Sequence, residues 1–233
     1  MVVQPKVQMM RLTKDKKILL IAVPRTRSGW IWKSLGGELF EDVESFFELN
    51  SVSRSEHQWR KTWPPHTPNR SISRTLLIDR HKYEKFTVIR NPWERYASFY
   101  SRLRRPLEPG AEEYAKKTQD ASAVNKHAMS DMAMQLNFEQ FMVQIAIGNR
   151  SFDAWPALSF LLNHKGSIDI DHIFRFEDVE AIKNFFIGRG YSFKEVPIGS
   201  PQREWRSLHT PVTKKIIRSM CELEIEQFGF SFD

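Results

Sequence analysis

The sequence predicts an α/β fold built on a parallel β-sheet, and two observations carry this prediction. Short apolar runs of strand length alternate along the chain with segments whose apolar residues recur at helical spacing. Few polar residues interrupt these runs, which is typical of strands that are buried on both faces of a parallel sheet. Strands that alternate with helices favour a single domain in which helices flank the sheet.

The first predicted strand is the run ILLIAV at residues 18–23. Apolar residues then recur at every fourth position, so a helix is predicted over residues 29–40. Residues 1–17 precede the strand and are rich in basic residues, and we expect them to form a lead-in to the domain.

A second buried strand is predicted at residues 86–89. Asn91 and Pro92 follow it, and proline suits the first turn of a helix, which we expect to reach about residue 104. The polar stretch that follows predicts a flexible insert at about residues 105–135, within a domain that spans residues 18–233.

The C-terminal half predicts a helix that begins near Phe138, a third strand within residues 168–176, and a helix that begins near Val179. Thr210 and Pro211 open a last predicted helix. Its expected apolar face comprises Val212, Ile216, Met220 and Leu223.

Composition restricts the function and the setting. The chain has 233 residues and a formal net charge of +7, which favours anionic partners. Neither a signal peptide nor the roughly 20-residue apolar run that a bilayer requires is visible, so stable membrane insertion is not expected. The single cysteine, Cys221, fits a reducing compartment, and we expect a cytoplasmic location.

Cationic and hydroxyl side chains follow the first strand, in the stretch PRTRSGW at residues 24–30. The first N–H groups of a helix lack partners within the helix, and the helix dipole adds positive charge there. A phosphate group fits such a junction, and arginines add forked hydrogen bonds to it. The stretch is not a GxxxxGK[ST] phosphate loop, since its glycines and lysine are missing.

A second strand, turn and helix follow in FTVIRNPWERYASFY, in which Arg90 ends the strand and Ser98 lies eight residues further on. Two anion-binding elements at the carboxyl ends of parallel strands suit a ligand with two separate phosphate groups.

Both stretches resemble the cofactor-binding motifs of sulfotransferases that use 3′-phosphoadenosine 5′-phosphosulfate (PAPS). PRTRSGW stands where that family has PK-[TS]-[GA]-[ST]-[ST]-[ST], and RNPWERYASFY matches RNP-x-[ED]-R-x-x-S-x-Y. DHIFRFEDV and the segment that ends in EQFGF are also similar to family segments, so the resemblance covers residues 18–104 and 137–230. It is closest to carbohydrate sulfotransferases of Golgi type and their small bacterial and viral relatives.

The resemblance implies a P-loop-like parallel sheet and a nucleotide-binding enzyme that transfers a sulfuryl group from PAPS to a hydroxyl group without a metal ion. It also implies that Arg90 and Ser98 hold the 3′-phosphate and that Arg203 reaches it from a later loop. The residues that it places around the 5′-phosphosulfate are Arg25, Thr26, Arg27, Ser28, Gly29 and Trp30. Arg25 replaces the usual lysine beside the leaving phosphate, and Arg27 replaces a small residue.

The resemblance also points to His66, in PPHTPNRSI, as the base that removes the acceptor's proton. His57 and Glu56 remain alternatives for this role. The expected acceptor is a small molecule or a glycan, most simply a carbohydrate hydroxyl.

Three alternatives to a PAPS-dependent sulfotransferase remain open. Replacement of the usual residues at Arg25 and Arg27 allows a catalytically degenerate nucleotide-binding protein of the same fold. A nucleotide or sugar kinase is disfavoured, because a lysine-bearing glycine loop is missing. A basic nucleic-acid-binding module is disfavoured too, because no helix-turn-helix, zinc-finger or RNP1 pattern is present, and we expect no nucleic-acid partner.

Overall fold

A computed structural model describes residues 11–13, 15, 17–36, 84–105, 121–148, 152–163, 165–197 and 204–233. Its strands are β1 Arg11–Leu12, β2 Ile18–Ile21, β3 Glu84–Ile89 and β4 His172–Arg175. Its α-helices are α1 Ser28–Leu35, α2 Pro92–Leu103, α3 Ala121–Gln135, α4 Phe138–Ala146, α5 Leu158–Leu161, α6 Val179–Ile187, α7 Pro211–Met220 and α8 Glu222–Phe228. The chain forms two compact units, unit 1 with Met1–Ile89 and Ser159–Ile198, and unit 2 with Arg90–Leu158 and Gly199–Asp233.

The sheet lies in unit 1, with its strands in the order β1-β2-β3-β4. β2, β3 and β4 are parallel, with Leu20 opposite Phe86 and Phe86 opposite His172, whereas β1 pairs antiparallel with β2. The carboxyl ends of the three parallel strands therefore meet at one edge of the sheet. This arrangement confirms the predicted fold class.

Helices α1 and α6 pack against the sheet through one hydrophobic cluster in unit 1. Ile31 and Leu35 of α1 are buried in it, as are Ile182 and Phe186 of α6. Phe86 lies at its centre and contacts Phe174, Phe185 and Phe186. Helix α1 ends at Leu35 because Gly36 adopts a positive φ of 50°, so it is shorter than the sequence predicted. Residues 37–40 of that prediction lie outside the described residues.

Part of the predicted N-terminal lead-in belongs to the sheet. The backbone of β1 pairs with β2, and the buried Thr13 exchanges hydrogen bonds with Ile18. The Asp15 carboxylate accepts hydrogen bonds from the hydroxyl groups of Thr13 and Tyr191. The predicted boundary at residue 18 is therefore too late, because a two-residue edge strand leaves almost no periodic signal.

Unit 2 is helical, and local sequence signals set where its helices begin. The Asn91 side chain accepts a hydrogen bond from the Trp93 N–H at 3.1 Å, and Pro92 occupies the first turn of α2. Asn137 and Gln140 form a reciprocal capping box at the start of α4, and Thr210 and Thr213 form one at the start of α7. The predicted starts of these three helices are confirmed.

The second half of the predicted flexible insert is helical in the structure. Helix α3 buries Met129, Ser130 and Ala133, and the Ser130 hydroxyl donates to the Leu103 carbonyl oxygen at 2.6 Å. Its polar composition predicted a loop, but packing against the end of α2 stabilises a helix that its own sequence only weakly favours. Residues 106–120 lie outside the described residues.

The last predicted helix is two helices, α7 and α8, separated at Cys221. Its predicted apolar face is also wrong, since 47% of Val212 and 69% of Leu223 are exposed. The buried positions are instead Thr213, Ile217, Cys221 and Glu224. Two of these residues are polar, so hydrophobic spacing alone could not identify this face.

None of the helices in the described part of the chain combines the length and the apolar character needed to cross a bilayer.

Candidate functional site

The turn between β2 and α1 has an unusual backbone. Arg25 and Arg27 have φ angles of 68° and 66°, a left-handed region that residues other than glycine rarely enter. Such a conformation costs about 1–3 kcal/mol and persists only where surrounding structure imposes it. Strained residues of this kind concentrate at functional sites, and here both are arginines in the predicted anion-binding stretch.

Thr26, between these arginines, stabilises the turn through a buried hydrogen bond to its backbone. It is 1% exposed, and its hydroxyl donates to the carbonyl oxygen of Val23 at 2.9 Å. The Arg27 carbonyl oxygen accepts from the N–H groups of Trp30 and Ile31, which begins α1. The Arg27 side chain makes no capping hydrogen bond to α1, and the N-terminal end of the helix carries the partial positive charge of the helix dipole.

The side chain of Arg27 lies over aromatic rings. Its guanidinium carbon is 4.0 Å from the centre of the Phe176 ring and 5.9 Å from that of Trp30. Trp30 in turn donates from its indole nitrogen to the Val196 carbonyl oxygen at 3.1 Å. The long side chain is thus held against aromatic rings by cation–π contacts, which explains how an arginine is accommodated in this turn.

Phe176 also connects this turn to the end of β3. Its N–H donates to the Ile89 carbonyl oxygen at 2.7 Å, directly after the last paired residues of β3 and β4. Within unit 1, the turn that contains Arg27 therefore lies close to Ile89, the last residue of β3.

Gly29 leaves space at the helix N-terminus. Among the residues that the structure describes, none outside the immediate surroundings in the chain and helix has a heavy atom within 4 Å of a Cβ atom built on Gly29. The exposed backbone here leaves room for the close approach of a ligand.

The second segment, in unit 2, places three polar residues four positions apart. Arg90, Glu94 and Ser98 are 4%, 7% and 8% exposed. Glu94 and Ser98 share one side of α2 through their four-residue spacing, and Arg90 lies just before the helix. Arg90 Nη2 lies 2.7 Å from Glu94 Oε1 in a buried ion pair. A charged pair that is withdrawn from water holds its geometry well, because losing either partner leaves the other charge buried.

The first turn of α2 is anchored by distant residues of the same unit. Asn91 donates to the Ser231 carbonyl oxygen at 2.6 Å, and the Trp93 indole N–H donates to the Lys214 carbonyl oxygen at 3.2 Å. His209 Nε2 lies 3.2 Å from the Trp93 carbonyl oxygen, and because a carbonyl only accepts, this nitrogen carries a proton. Burial lowers the pKa of His209 to about 4, so the ring is neutral at physiological pH.

Arg95 belongs to a buried polar cluster that sequence reasoning missed. It is 1% exposed, its Nη2 donates to the Trp155 carbonyl oxygen at 2.9 Å, and Tyr96, Cys221 and Glu224 surround it. Glu224 Oε2 accepts from the Leu158 N–H at 3.3 Å. Burial raises the pKa of Glu224 above its ordinary value, although the charge of Arg95 acts in the opposite direction. Burial also raises the pKa of the Cys221 thiol to about 12, which makes it a poor nucleophile.

The predicted site residues fall into three groups. One turn contains the first group, Arg25, Thr26, Arg27, Ser28, Gly29 and Trp30. In the second group, Arg90 lies between β3 and α2, and Ser98 lies within α2. His66, Arg203 and the alternative bases His57 and Glu56 lie outside the described residues. Glu94 was missed as a partner of Arg90, although its four-residue spacing was a usable signal.

The fold and these two segments define an α/β protein with cationic strand-to-helix junctions. A sequence model of the sulfotransferase family matches residues 8–230. The chain therefore belongs to the sulfotransferase family, whose enzymes transfer sulfuryl groups. No curated protein and no solved structure matches the chain.

Proposed function

We propose that this sulfotransferase uses PAPS as its donor and transfers the sulfuryl group to a hydroxyl group of a carbohydrate. The observation that carries the donor assignment is the pair of cationic segments that follow adjacent parallel strands, β2 and β3. PAPS has phosphate groups at both the 5′ and the 3′ positions of one nucleoside, which matches two separate anion-binding segments.

The residues of the first segment fit the 5′ end of this donor. The N-terminus of α1, the arginine charges and the exposed Gly29 suit a phosphate group that approaches the backbone. Arg90 and Ser98 provide a cation and a hydroxyl for the 3′-phosphate in the second segment.

When bound, PAPS supplies the sulfuryl group and its 5′-phosphate becomes the leaving group. Arg25 and the N–H groups at the start of α1 stabilise the charge that develops on that phosphate. The acceptor oxygen forms the new bond to sulfur and loses its proton to a base, for which we propose His66, with His57 and Glu56 as alternatives. Arg203 is proposed as a further contact to the 3′-phosphate.

The carbohydrate acceptor and a cytoplasmic location remain parts of this proposal. The acceptor follows from the branch that residues 18–104 and 137–230 most resemble, and the location from the single cysteine. The net charge of +7 supports an anionic donor, and we propose neither a nucleic-acid partner nor stable membrane insertion.

The test is transfer of label from sulfur-labelled PAPS to a panel of glycans, with Arg90→Ala, Ser98→Ala and the same-helix control Arg102→Ala. We expect each of the first two variants to lose roughly 10-fold to 100-fold in kcat/KM for PAPS, and the control to retain activity. Ser98→Ala matters because it leaves the Arg90–Glu94 ion pair in place.

Three results would redirect the proposal. Undiminished binding of adenosine 3′,5′-diphosphate by Arg90→Ala would overturn the site assignment. Tight binding of that product without transfer to any acceptor would favour the degenerate nucleotide-binding protein. A rise in melting temperature with oligonucleotides but not with the diphosphate would favour a nucleic-acid-binding module.

A further inference from the structure

We propose that Glu94 is a positioning residue that orients Arg90 toward the 3′-phosphate and so makes the protein selective for 3′-phosphorylated nucleotides. This inference rests on the proposed use of PAPS, because it assigns to Glu94 a role at the same binding segment.

The ion pair between Arg90 and Glu94 has a restrictive geometry. Glu94 Oε1 contacts one guanidinium nitrogen of Arg90, Nη2, at 2.7 Å, and both side chains are less than 10% exposed. A guanidinium is planar and has N–H donors on three nitrogens, so a short contact at one nitrogen restricts the plane of the whole group. Burial then limits the rotamers that either side chain can adopt.

Glu94 lies between the two proposed phosphate ligands, Arg90 and Ser98, in the sequence. Ser98 follows Glu94 by one helical turn, so both lie on the same side of α2. Arg90 precedes the helix, and its ion pair with Glu94 holds it beside the carboxylate. Glu94 thus contacts one proposed phosphate ligand, Arg90, and precedes the other, Ser98, by one turn of α2.

The negative charge of Glu94 also affects phosphate binding. A carboxylate beside a phosphate site repels the phosphate, so a site that needed only positive charge would be stronger without Glu94. Its presence at a buried position is explained if the orientation of Arg90 contributes more to binding than the lost charge. The pair also keeps the arginine compensated within the fold when no nucleotide is bound.

The charge and orientation explanations predict opposite effects of Glu94→Gln. If Glu94 acts by orientation, the glutamine weakens the contact to Arg90 and binding of the 3′-phosphate falls. If Glu94 acts only as a negative charge, its removal raises that affinity. The measurement is the ratio of affinities for adenosine 3′,5′-diphosphate and adenosine 5′-monophosphate, determined by titration calorimetry. A general loss of folded protein affects both ligands equally and leaves this ratio unchanged.

We expect Glu94→Gln to lower this ratio about tenfold, through the diphosphate alone. Glu94→Asp keeps the charge but shortens the side chain, so it also lowers the ratio, and it provides a folded variant if the glutamine destabilises the protein. The matched control is Glu195→Gln, which removes one partner of the exposed Lys183–Glu195 ion pair in unit 1 and leaves the ratio as in the wild type.

The outcomes separate this inference from the donor assignment. An unchanged or raised ratio in Glu94→Gln, or an equal loss for both nucleotides, overturns the positioning role but leaves PAPS as the proposed donor. A wild-type protein that does not prefer the diphosphate overturns the donor assignment and this inference with it.

Discussion

The two cationic segments, residues 24–30 and residues 90–98, differ in how the fold holds their arginines. In the first segment, a left-handed backbone at Arg25 and Arg27 determines the shape, and both side chains are only partly buried. In the second, Arg90 and Arg95 are almost fully buried, the first in an ion pair and the second among polar groups.

The difference shows two ways to organise positive charge. A turn shaped by its backbone presents the N–H groups of a helix N-terminus, so it can surround an anion that approaches from solvent. A segment shaped by side-chain packing holds individual groups at defined positions, which favours selectivity for one phosphate. Substitutions at Arg95, His209 and Arg27 test this contrast.

The largest effect is expected from Arg95→Ala in the second segment. The substitution leaves Glu224 buried without its cationic neighbour and removes the donor to the Trp155 carbonyl oxygen, so we expect the free energy of unfolding to fall by about 4 kcal/mol. Chemical denaturation measures this change. Arg102→Ala, on the same helix at a partly exposed position, should alter it by less than about 0.5 kcal/mol. Equal effects of the two variants would show that burial does not distinguish Arg95.

An intermediate effect is expected from His209, which contacts the first turn of α2. Because its folded pKa of about 4 lies below the ordinary value of 6.5, the unfolded chain binds its proton first as the pH falls. We expect stability to be complete above about pH 6.5 and to fall by roughly 2 kcal/mol between pH 6.5 and 4.

The measurement compares denaturation of the wild type and of His209→Gln across this pH range. The difference between their unfolding free energies cancels the contributions of other groups, and a pH-independent difference would contradict the role of His209. The first segment contains no histidine or acid, so its own residues add nothing to this pH dependence.

The smallest effect is expected at Arg27, where glycine should be better tolerated than alanine. Glycine accepts the φ of 66° at little steric cost, so Arg27→Gly should be more stable than Arg27→Ala by about 1 kcal/mol. Lys33 provides the control, since it is exposed within α1 and there alanine should exceed glycine by about 1 kcal/mol. The same sign at both positions would show that the turn imposes no left-handed strain. Both variants at Arg27 should also weaken donor binding.

Local signals made parts of the fold predictable from sequence. The start of α2 follows from Asn91 and Pro92, and the core strands follow from uninterrupted apolar runs. The sequence did not reveal β1, which is only two residues long, or α3, whose polar composition resembles a loop. Both depend on partners elsewhere in the fold, the edge of β2 and the end of α2.

The candidate site was predictable to a similar extent. Residue types and spacing located both cationic segments, because phosphate recognition requires cations and donors close to helix starts. They did not reveal that Arg27 lies over the ring of Phe176, because the two residues are far apart in the sequence. The proposed base, His66, and Arg203 lie outside the described residues and stay predictions.

The sequence alone determined the three parallel strands, the helices with strong starting signals, the family and the two cationic segments, because these depend on patterns within a few neighbouring residues. Tertiary structure alone decided which polar groups are buried and which conformations are strained. The ion pair of Arg90, the cluster around Arg95 and the left-handed turn each depend on packing that composition does not encode. Desolvation and steric strain arise only when distant parts of the chain enclose a residue, and they are therefore properties of the fold rather than of any segment.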